Sequence, residues 1–349
     1  MSDRFRTLLK KVGSGTHTSA ALTREEAAEA LRMMLQQEAT PVQVGAFLIA
    51  HRIRRPTGEE LAGMLDVYAE LGPHLTNAVR PPMILTHPYD GRSRTVPMTI
   101  LTGLILSAAG VPTILHGGDR MPTKEGICLH EIWQKLGINW EGISLIRMQE
   151  IFQTTGLGFI HLPTHFPLAM NLVGPRREIG KRPPIATLEL MWSPYLGDAT
   201  IACGYVHPPT ESMFRTALEL RNQRQFITVK GLEGSCDLPR DRTCIIGINR
   251  PSIDNPETST FERLLLHPHD YGYGGKEVPL NSLDELINNI KAVLEGEPGE
   301  LMQAAIWNGG FYLWCAGVCA DIETGLKHAQ ELLTQGMVAQ KLEAIANSL

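Results

Sequence analysis

The chain has 349 residues, of which 43% are hydrophobic and 20% are charged, and its net charge is −5. This length and composition predict a globular protein with a sizeable core and exclude a disordered or low-complexity chain. The acidic balance argues against a generally basic nucleic-acid binder, although it leaves room for a local basic patch. No apolar run reaches the ~18–20 residues of a membrane-spanning helix.

The N-terminus and the cysteines indicate a cytoplasmic protein. The first residues, MSDRFRTLLKK, are charged and amphipathic and lack the apolar core of a signal peptide. The six cysteines show no CxxC or other metal-binding spacing. We therefore expect a cytoplasmic protein with reduced thiols and no contact with a membrane.

Three capping boxes predict helices in the first ~75 residues, because each has a threonine followed three residues later by Glu or Gln. They are Thr23-Arg24-Glu25-Glu26, Thr40-Pro41-Val42-Gln43 and Thr57-Gly58-Glu59-Glu60. Pro41 occupies the first helical position, where a proline is tolerated. The third helix is expected to end near Gly72-Pro73. These signals predict a small helical N-terminal domain.

The segment 81–124 has the pattern of a parallel α/β unit. Two apolar runs, residues 83–85 and 111–115, each end in a short polar loop with Gly or Pro, and a helix is predicted over 99–109. In a parallel sheet both loops open at the same edge, where loop amides could meet a phosphate. Taken alone, however, the segment favours an ordinary crossover without a ligand.

The rest of the chain continues the α/β pattern. Strands are predicted over 158–161, 200–206 and 225–229, and helices over 148–156, 169–180 and 211–221. Residues 236–281 are Pro-rich and irregular, which suits an antiparallel excursion or long loops. Helices are then predicted over 282–294 and 299–319, and residues 323–346 close the chain. The expected fold class is α/β, with a small all-helical N-terminal domain and a larger domain around a mainly parallel sheet.

Several motifs together resemble one family. Ala108-Ala109-Gly110-Val111 and His116-Gly117 fit its AAGV…KHGN pattern, and Arg176-Arg177-Glu178-Ile179-Gly180 resembles its R-x-x-LG motif. The helical segment LTREEAAEALRMMLQQEATPVQVGAFLIAHRIRRPTGEELAGM resembles its N-terminal domain. Its C-terminal pattern is matched by Asn308, Gly309, Leu313, Gly317, Gly325 and Gly336. On these motifs the chain resembles the anthranilate phosphoribosyltransferase family, with the nucleoside phosphorylase II fold, as a divergent second-type member.

The resemblance implies an architecture and an activity. It implies a helical domain over residues 1–78, on which part of 150–185 packs, and an α/β domain over 81–349. The active cleft would lie between the two domains, and the helical domain would form a homodimer. The implied reaction is transfer of phosphoribosyl from phosphoribosyl pyrophosphate (PRPP) to anthranilate, in tryptophan biosynthesis, with Mg²⁺ and without an organic cofactor.

The resemblance also implies three groups of site residues. The candidates for the phosphate and PRPP loops are Thr86, His87, Asp90, Gly91, Arg92, Arg94, Thr95, Thr99, His116, Gly117, Gly118, Arg120, Thr123 and Lys124. Phe166 and Arg176 are the candidates on the acceptor side, and Glu233 and Asp237 are the candidates for a metal ion.

The sequence departs from the family at the positions that carry the chemistry. The glycine-rich GTGGDG loop is replaced by Thr86-His87-Pro88-Tyr89-Asp90-Gly91, and proline has no amide hydrogen to donate to a pyrophosphate. Leu115 and Gly118 replace the Lys and Asn of KHGN, and Phe166 replaces the His of HPAM. Cys236-Asp237 replaces an Asp-Glu pair, and a thiol suits Mg²⁺ poorly. We therefore expect the standard activity to be weak, lost or redirected.

Two other functions stay open at this stage. One is a phosphoribosyltransferase or phosphorylase with a different acceptor, and the other is a nucleic-acid-binding protein on a transferase scaffold. Basic residues recur in the loops expected to face the cleft, where they could bind an anion, although scattered surface charge is an equal alternative. They are Arg52, Arg54, Arg55, Arg92, Arg94, Arg120, Lys124, Arg176, Arg177, Lys181, Arg182 and Lys230. His267-Pro268-His269-Asp270 is a weak metal motif, and a solvated loop is its more ordinary interpretation.

Overall fold

The N-terminal part of the chain is a bundle of four helices, as the sequence predicts. The computed structural model describes residues 3–15, 17–252, 255 and 258–349. The four helices are α1 (Asp3–Gly13), α2 (Arg24–Leu35), α3 (Pro41–Arg54) and α4 (Gly58–Leu71). Helix α1 packs on α3 and helix α2 packs on α4. Phe5, Phe47 and Leu65 are fully buried between them and form the core of this small domain.

All three capping boxes are formed. The Thr23 hydroxyl accepts a hydrogen bond from the Glu26 amide at 3.2 Å, and the Glu26 carboxylate accepts one from the Thr23 amide at 2.9 Å. The same reciprocal pair joins Thr40 with Gln43 and Thr57 with Glu60. Each box satisfies two backbone donors that a helix N-terminus would otherwise leave without partners.

The larger domain is built on a seven-stranded sheet in the order β3-β2-β1-β4-β5-β6-β7. The strands are β1 (Met83–Leu85), β2 (Thr113–Gly117), β3 (Leu157–His161), β4 (Thr200–Gly204), β5 (Phe226–Val229), β6 (Cys244–Pro251) and β7 (Ser259–Leu266). The first five strands are parallel, with Ile84 of β1 in register with Ile114 and Ile201. Strands β6 and β7 pair antiparallel, so the irregular stretch 236–281 contains an antiparallel excursion. The predicted α/β fold class is confirmed.

Helices pack against the sheet, and some of them reach back to the bundle. They are α5 (Thr99–Ala108), α6 (Leu129–Lys135), α7 (Leu145–Thr155), α8 (Leu162–His165), α9 (Pro167–Met170), α10 (Val173–Ile179), α11 (Ile185–Leu188), α12 (Pro208–Leu220), α13 (Leu283–Leu294), α14 (Glu300–Cys315), α15 (Ile322–Thr334) and α16 (Met337–Ala346). Helix α10 packs on α3, and helices α11 and α12 pack on α4. No helix within the described residues is long and apolar enough to cross a membrane.

One predicted helix is wrong. The sequence predicts a single helix over 169–180, but the stretch is divided between α9 and α10. A continuous helix would need Pro175 to donate to the carbonyl of Asn171, and proline has no amide hydrogen and clashes with that carbonyl. The closing stretch 323–346, for which no single helix was predicted, divides into α15 and α16 at Gly336, whose φ of 73° is left-handed.

Candidate functional site

The loop that follows β1 turns inward and is buried. All residues from 86 to 92 are shielded from solvent. The Thr86 hydroxyl donates to the Ala202 carbonyl at 2.8 Å, and the Gly91 amide donates to the Pro88 carbonyl at 2.9 Å. Gly91 has a φ of 77°, and a Cβ there would lie 2.5 Å from the Gly126 carbonyl, so a glycine is required. The strand order reverses between β1 and β4, and parallel sheets usually bind ligands at such a switch point. The residues of this loop nevertheless form their hydrogen bonds mainly within their own domain.

The guanidinium of Arg92 lies between two buried carboxylates. Its Nε donates to Glu233 Oε1 at 3.2 Å, and one terminal nitrogen donates to Asp237 Oδ2 at 2.7 Å. The same nitrogen donates to the Ser235 hydroxyl at 2.7 Å, and the other donates to the Thr95 hydroxyl. Arg92 is fully buried, so its charge is compensated inside the protein.

Glu233 accepts hydrogen bonds at both carboxylate oxygens. The Arg94 and Thr95 amides donate to Oε1, each at 3.0 Å, and the Ser93 amide donates to Oε2 at 3.3 Å. Lys124 Nζ lies 3.4 Å from Oε2. Burial raises the pKa of Glu233, but Arg92, the backbone amides and Lys124 outweigh burial and hold this pKa well below its usual range.

Asp237 completes the same network, which we call the Arg92 network and define as Arg92, Thr95, Thr99, Glu233, Ser235 and Asp237. Asp237 Oδ2 accepts from the Met98 amide at 3.1 Å, and Oδ1 accepts from the Thr99 hydroxyl at 3.0 Å. His87 Nδ1 lies 3.2 Å from the same hydroxyl. Burial, together with Arg92 and Lys124, lowers the pKa of His87 well below its ordinary value, so this imidazole is neutral at pH 7.

Tyr89, in the loop after β1, packs against His116 of β2. Its hydroxyl lies 2.5 Å from His116 Nδ1, and its ring meets the His116 ring edge to face with centroids 5.5 Å apart. Burial lowers the pKa of His116 to about 3. Asp90 is buried beside them, and neither of its carboxylate oxygens has a hydrogen-bond partner among the described residues.

The acceptor-side residues are also buried. Arg176 is 2% exposed and makes a two-armed ion pair with Glu189, in which the longer hydrogen bond measures 3.2 Å. Phe166 packs against Tyr68 and Trp192, with ring centroids 5.1 Å and 5.6 Å away. The carboxylate that meets Arg176 therefore comes from the chain itself.

The remaining predicted site residues lie around the loop after β2. Gly117 and Gly118 are buried, and Thr123 is half-buried. Arg120 is exposed and pairs with Glu131 at 2.9 Å. The side chain of Arg94 is 76% exposed and its Nε lies 3.8 Å from Glu233 Oε2.

A separate cavity of about 600 Å³ opens between the helical bundle and the carboxyl end of β4. Its walls carry Arg52, Arg55, Arg182 and His207, and no aspartate or glutamate of the described residues lines it. Within residues 3–15, 17–252, 255 and 258–349, none of these arginines pairs with a carboxylate, whereas Arg54 pairs with Glu60. Arg52 Nε donates to the Arg182 carbonyl at 3.0 Å, which holds one side of the cavity together. We call this space the basic cavity.

Sequence reasoning missed a group of possible metal ligands, formed by Asp119, His130 and His161 and named here the Asp-His-His cluster. One ligand atom from each residue lies within 4.8 Å of the other two. A signal was present, because Asp119 follows β2 by two residues and His161 ends the neighbouring parallel strand β3. The weak motif at 267–270 instead forms a short 3₁₀ turn, in which His267 Nδ1 lies 3.0 Å from the Thr243 hydroxyl.

Comparison with known proteins first defines the class of the helical bundle. Residues 6–72 match the family model described as "Glycosyl transferase family, helical bundle domain". Over nearly the whole chain, similar proteins include several anthranilate phosphoribosyltransferases. The chain is 28% identical to the one from Azorhizobium caulinodans, over 99% of this chain and 97% of that protein. It is 25% identical to the one from Acetivibrio thermocellus, over 96% of this chain and 95% of that protein.

Solved structures agree on the fold. The anthranilate phosphoribosyltransferase from Thermus thermophilus superposes with a TM-score of 0.80 at 22% identity, covering 99% of both chains. The enzyme from Saccharomyces cerevisiae, in complex with PRPP and Mg, gives a TM-score of 0.84 at 15% identity, covering 100% of this chain and 98% of that one. The resemblance predicted from the sequence is confirmed: this chain is similar to anthranilate phosphoribosyltransferases along nearly its whole length.

Proposed function

We propose that this chain is a remodelled relative of the anthranilate phosphoribosyltransferases, in which the standard transfer is weak or lost and the basic cavity binds an anionic ligand. The observation that carries the proposal is the position of the Arg92 guanidinium between Glu233 and Asp237. The side chain of Arg92 thus pairs with the two carboxylates that the sequence predicts as metal ligands.

The residues present do not fit Mg²⁺ at this position. Mg²⁺ needs near-octahedral oxygen ligands at about 2.0–2.1 Å, and the oxygens of Glu233 already accept from Arg92, three backbone amides and Lys124. Burial also raises the pKa of the Cys236 thiol, which keeps it protonated and unsuited to a hard cation. The structure of the Saccharomyces cerevisiae enzyme contains PRPP and Mg, which is the reason to expect Mg²⁺. In this chain Mg²⁺ would have to displace Arg92 from Glu233 and Asp237.

The pyrophosphate and acceptor positions support the same proposal. A pyrophosphate cradle needs exposed backbone amides, whereas residues 86–92 are buried and Pro88 has no amide hydrogen. An aromatic acid acceptor would need the guanidinium of Arg176, which is already paired with Glu189. Both ligands would therefore have to displace groups of the chain.

The basic cavity is the site we propose for an anion. Its volume of about 600 Å³ lies within the range of small-molecule sites. Three arginines without a carboxylate partner among the described residues create a positive potential that favours phosphate or carboxylate groups. The cavity lies beside the topological switch point between β1 and β4, at the carboxyl end of β4.

A nucleic acid is the second candidate ligand. Arg52 and Arg55 are exposed at the cavity wall, and an exposed arginine suits the backbone of a polymer as well as a small phosphate. Steep salt dependence would identify this ligand, because each neutralised phosphate releases counterions.

Two measurements test the loss of the standard activity. One is calorimetric titration with PRPP, with and without Mg²⁺, and the other is an assay of anthranilate consumption. We expect no Mg²⁺-dependent gain in affinity and no transfer. Tight Mg²⁺-dependent binding with transfer would refute the proposal. The same binding without transfer to anthranilate would favour the alternative of a transferase with a different acceptor.

The basic cavity is tested separately with pyrophosphate and with a short single-stranded oligonucleotide at two salt concentrations. The double variant Arg52→Ala/Arg55→Ala should weaken binding of whichever anion binds to the wild type by at least about tenfold, because two charge-assisted contacts are lost. Arg242→Ala is the matched control, since Arg242 is exposed and pairs with the adjacent Asp241. Equal affinities of the double variant and the control would exclude the cavity as the site.

A further inference from the structure

The Asp-His-His cluster brings three metal-ligating side chains together from three separate segments. Asp119 belongs to the loop after β2, His130 to helix α6 and His161 to the end of β3. The two histidines are each 2% exposed and their rings stack with centroids 4.2 Å apart. The side chain of Asp119 is 58% exposed, which leaves a path from solvent to the buried imidazoles.

The separations of Asp119 from the two histidines are close to those of a four-coordinate site. Asp119 Oδ1 lies 3.3 Å from His161 Nε2 and 3.8 Å from His130 Nε2. Ligand atoms at the corners of a tetrahedron around Zn²⁺, with bonds of about 2.0–2.2 Å, stand roughly 3.3–3.5 Å apart. A shift of a few tenths of an ångström in the exposed Asp119 side chain would bring its longer separation, the one from His130 Nε2, into this range.

A neighbouring side chain orients one of the two histidines. His161 Nδ1 lies 2.9 Å from the Thr164 hydroxyl, which directs Nε2 towards the cluster. Glu141 Oε1 lies 3.2 Å from His130 Nε2 and also accepts from Gln134 at 3.2 Å. A hydrogen bond to the second ring nitrogen fixes the tautomer of a metal-bound histidine, and Thr164 supplies this contact for His161. Glu141 instead lies beside the ligating nitrogen of His130. Glu141 or a water would complete the coordination.

We propose that Asp119, His130 and His161 bind a divalent transition-metal ion of the Zn²⁺ class. Two imidazoles and a carboxylate suit Zn²⁺, Co²⁺ or Ni²⁺ and are a poor set for Mg²⁺, which prefers oxygen ligands alone. The ion would join the loop after β2 to helix α6 and to β3. This site is separate from the Arg92 network and from the basic cavity, and it does not depend on the function proposed for either.

The test uses the full-length protein without a polyhistidine tag, stripped with a chelator and dialysed. Zn²⁺ and Mg²⁺ are titrated by calorimetry, and Co²⁺ is followed by the visible absorption of four-coordinate cobalt. We expect one Zn²⁺ per chain, visible bands with Co²⁺ and no binding of Mg²⁺ at this site. Asp119→Asn and His161→Gln should each weaken Zn²⁺ binding by at least about tenfold and abolish the cobalt bands.

The choice of variants separates loss of the metal site from loss of the fold. Asp119→Asn changes an exposed side chain and should fold normally even if His161→Gln does not. Asp241→Asn, an exposed aspartate elsewhere, should leave binding unchanged. Absence of Zn²⁺ binding to the wild type would overturn the proposal. Unchanged affinity in Asp119→Asn, or in a folded His161→Gln variant, would overturn it too.

Discussion

At the scale of single residues, the chain supplies its own counter-charges where a ligand would be expected. Arg92 meets Glu233 and Asp237, and Glu189 meets Arg176, in pairs that are almost wholly buried. Removing one partner from a buried pair is costly because the other charge remains without compensation. These residues therefore stabilise the fold at positions where the sequence predicts a ligand-binding site.

Arg92→Met should lower the free energy of unfolding by about 3–5 kcal/mol, because Glu233 and Asp237 would lose their shared cation in the interior. Urea denaturation at pH 7 measures the change. Arg94→Met is the matched control: the Arg94 side chain is 76% exposed, and we expect a loss below about 1 kcal/mol. Similar losses in the two variants would show that the network is not a stabilising unit.

Glu60 should contribute a pH-dependent part of the stability. Burial raises its pKa, but His51, Arg54 and the Leu22 amide outweigh burial and lower the pKa from 4.5 to about 2. A depressed folded-state pKa means that the stabilisation is complete above pH 4.5 and is lost as the pH falls towards 2. Between these values the gap in unfolding free energy between wild type and Glu60→Gln should narrow by roughly 3 kcal/mol.

Urea denaturation at several pH values between 6 and 2 checks this expectation. Glu59→Gln, at the exposed neighbouring position, should follow the wild-type curve throughout. A gap between wild type and Glu60→Gln that stays constant over this pH range would contradict the assignment.

At the scale of elements, the sequence predicts structure correctly where the cause is local. A capping box involves only four consecutive residues, so the starts of α2, α3 and α4 follow from the sequence alone. The break between α9 and α10 was missed although Pro175 signalled it. The glycines of the C-terminal motif also have a structural reason. A Cβ on Gly325 would lie 2.4 Å from the Gly310 carbonyl oxygen, so α14 and α15 pack backbone to backbone.

Thr23→Ala should destabilise the protein by about 1 kcal/mol, because the Glu26 amide loses its acceptor at the exposed start of α2. Thermal or urea unfolding measures the change. Thr154→Ala provides the comparison, since Thr154 bonds back to the Glu150 carbonyl within α7 and should change stability by less than about 0.5 kcal/mol. If Thr23→Ala has no effect, the cap is not a determinant of this helix.

At the scale of the whole molecule, helix α3 presents an apolar stripe that the described part of its own chain does not cover. Val42 is 82% exposed and Ile53 is 74% exposed, and Ala46 and Ile49 lie between them on the same face. Positions 42, 46, 49 and 53 recur at the spacing of one helix face. The homodimer through the helical domain stays a prediction, and this stripe is the surface we expect it to use.

Val42→Asp should convert the expected dimer into a monomer, because a charge would be buried at the first turn of the stripe. Light scattering coupled to size-exclusion chromatography measures the mass. Val79→Asp is a matched control, since Val79 is 89% exposed and lies outside α3. A wild type that is already monomeric would refute the predicted dimer, and a dimer unchanged by Val42→Asp would exclude this face.

The sequence by itself determined the helical domain, the parallel sheet and the resemblance to the transferase family, because periodicity, caps and motifs are written in consecutive residues. From that resemblance it also predicted that Pro88, Tyr89 and Cys236 depart from the family pattern. Only the tertiary structure decided what fills the altered positions. Arg92 and Glu233 are 141 residues apart in the chain and meet only when the loop after β1 packs beside the loop after β5. The Asp-His-His cluster and the basic cavity arise in the same way, since side chains from distant segments converge only at the edge of the folded sheet.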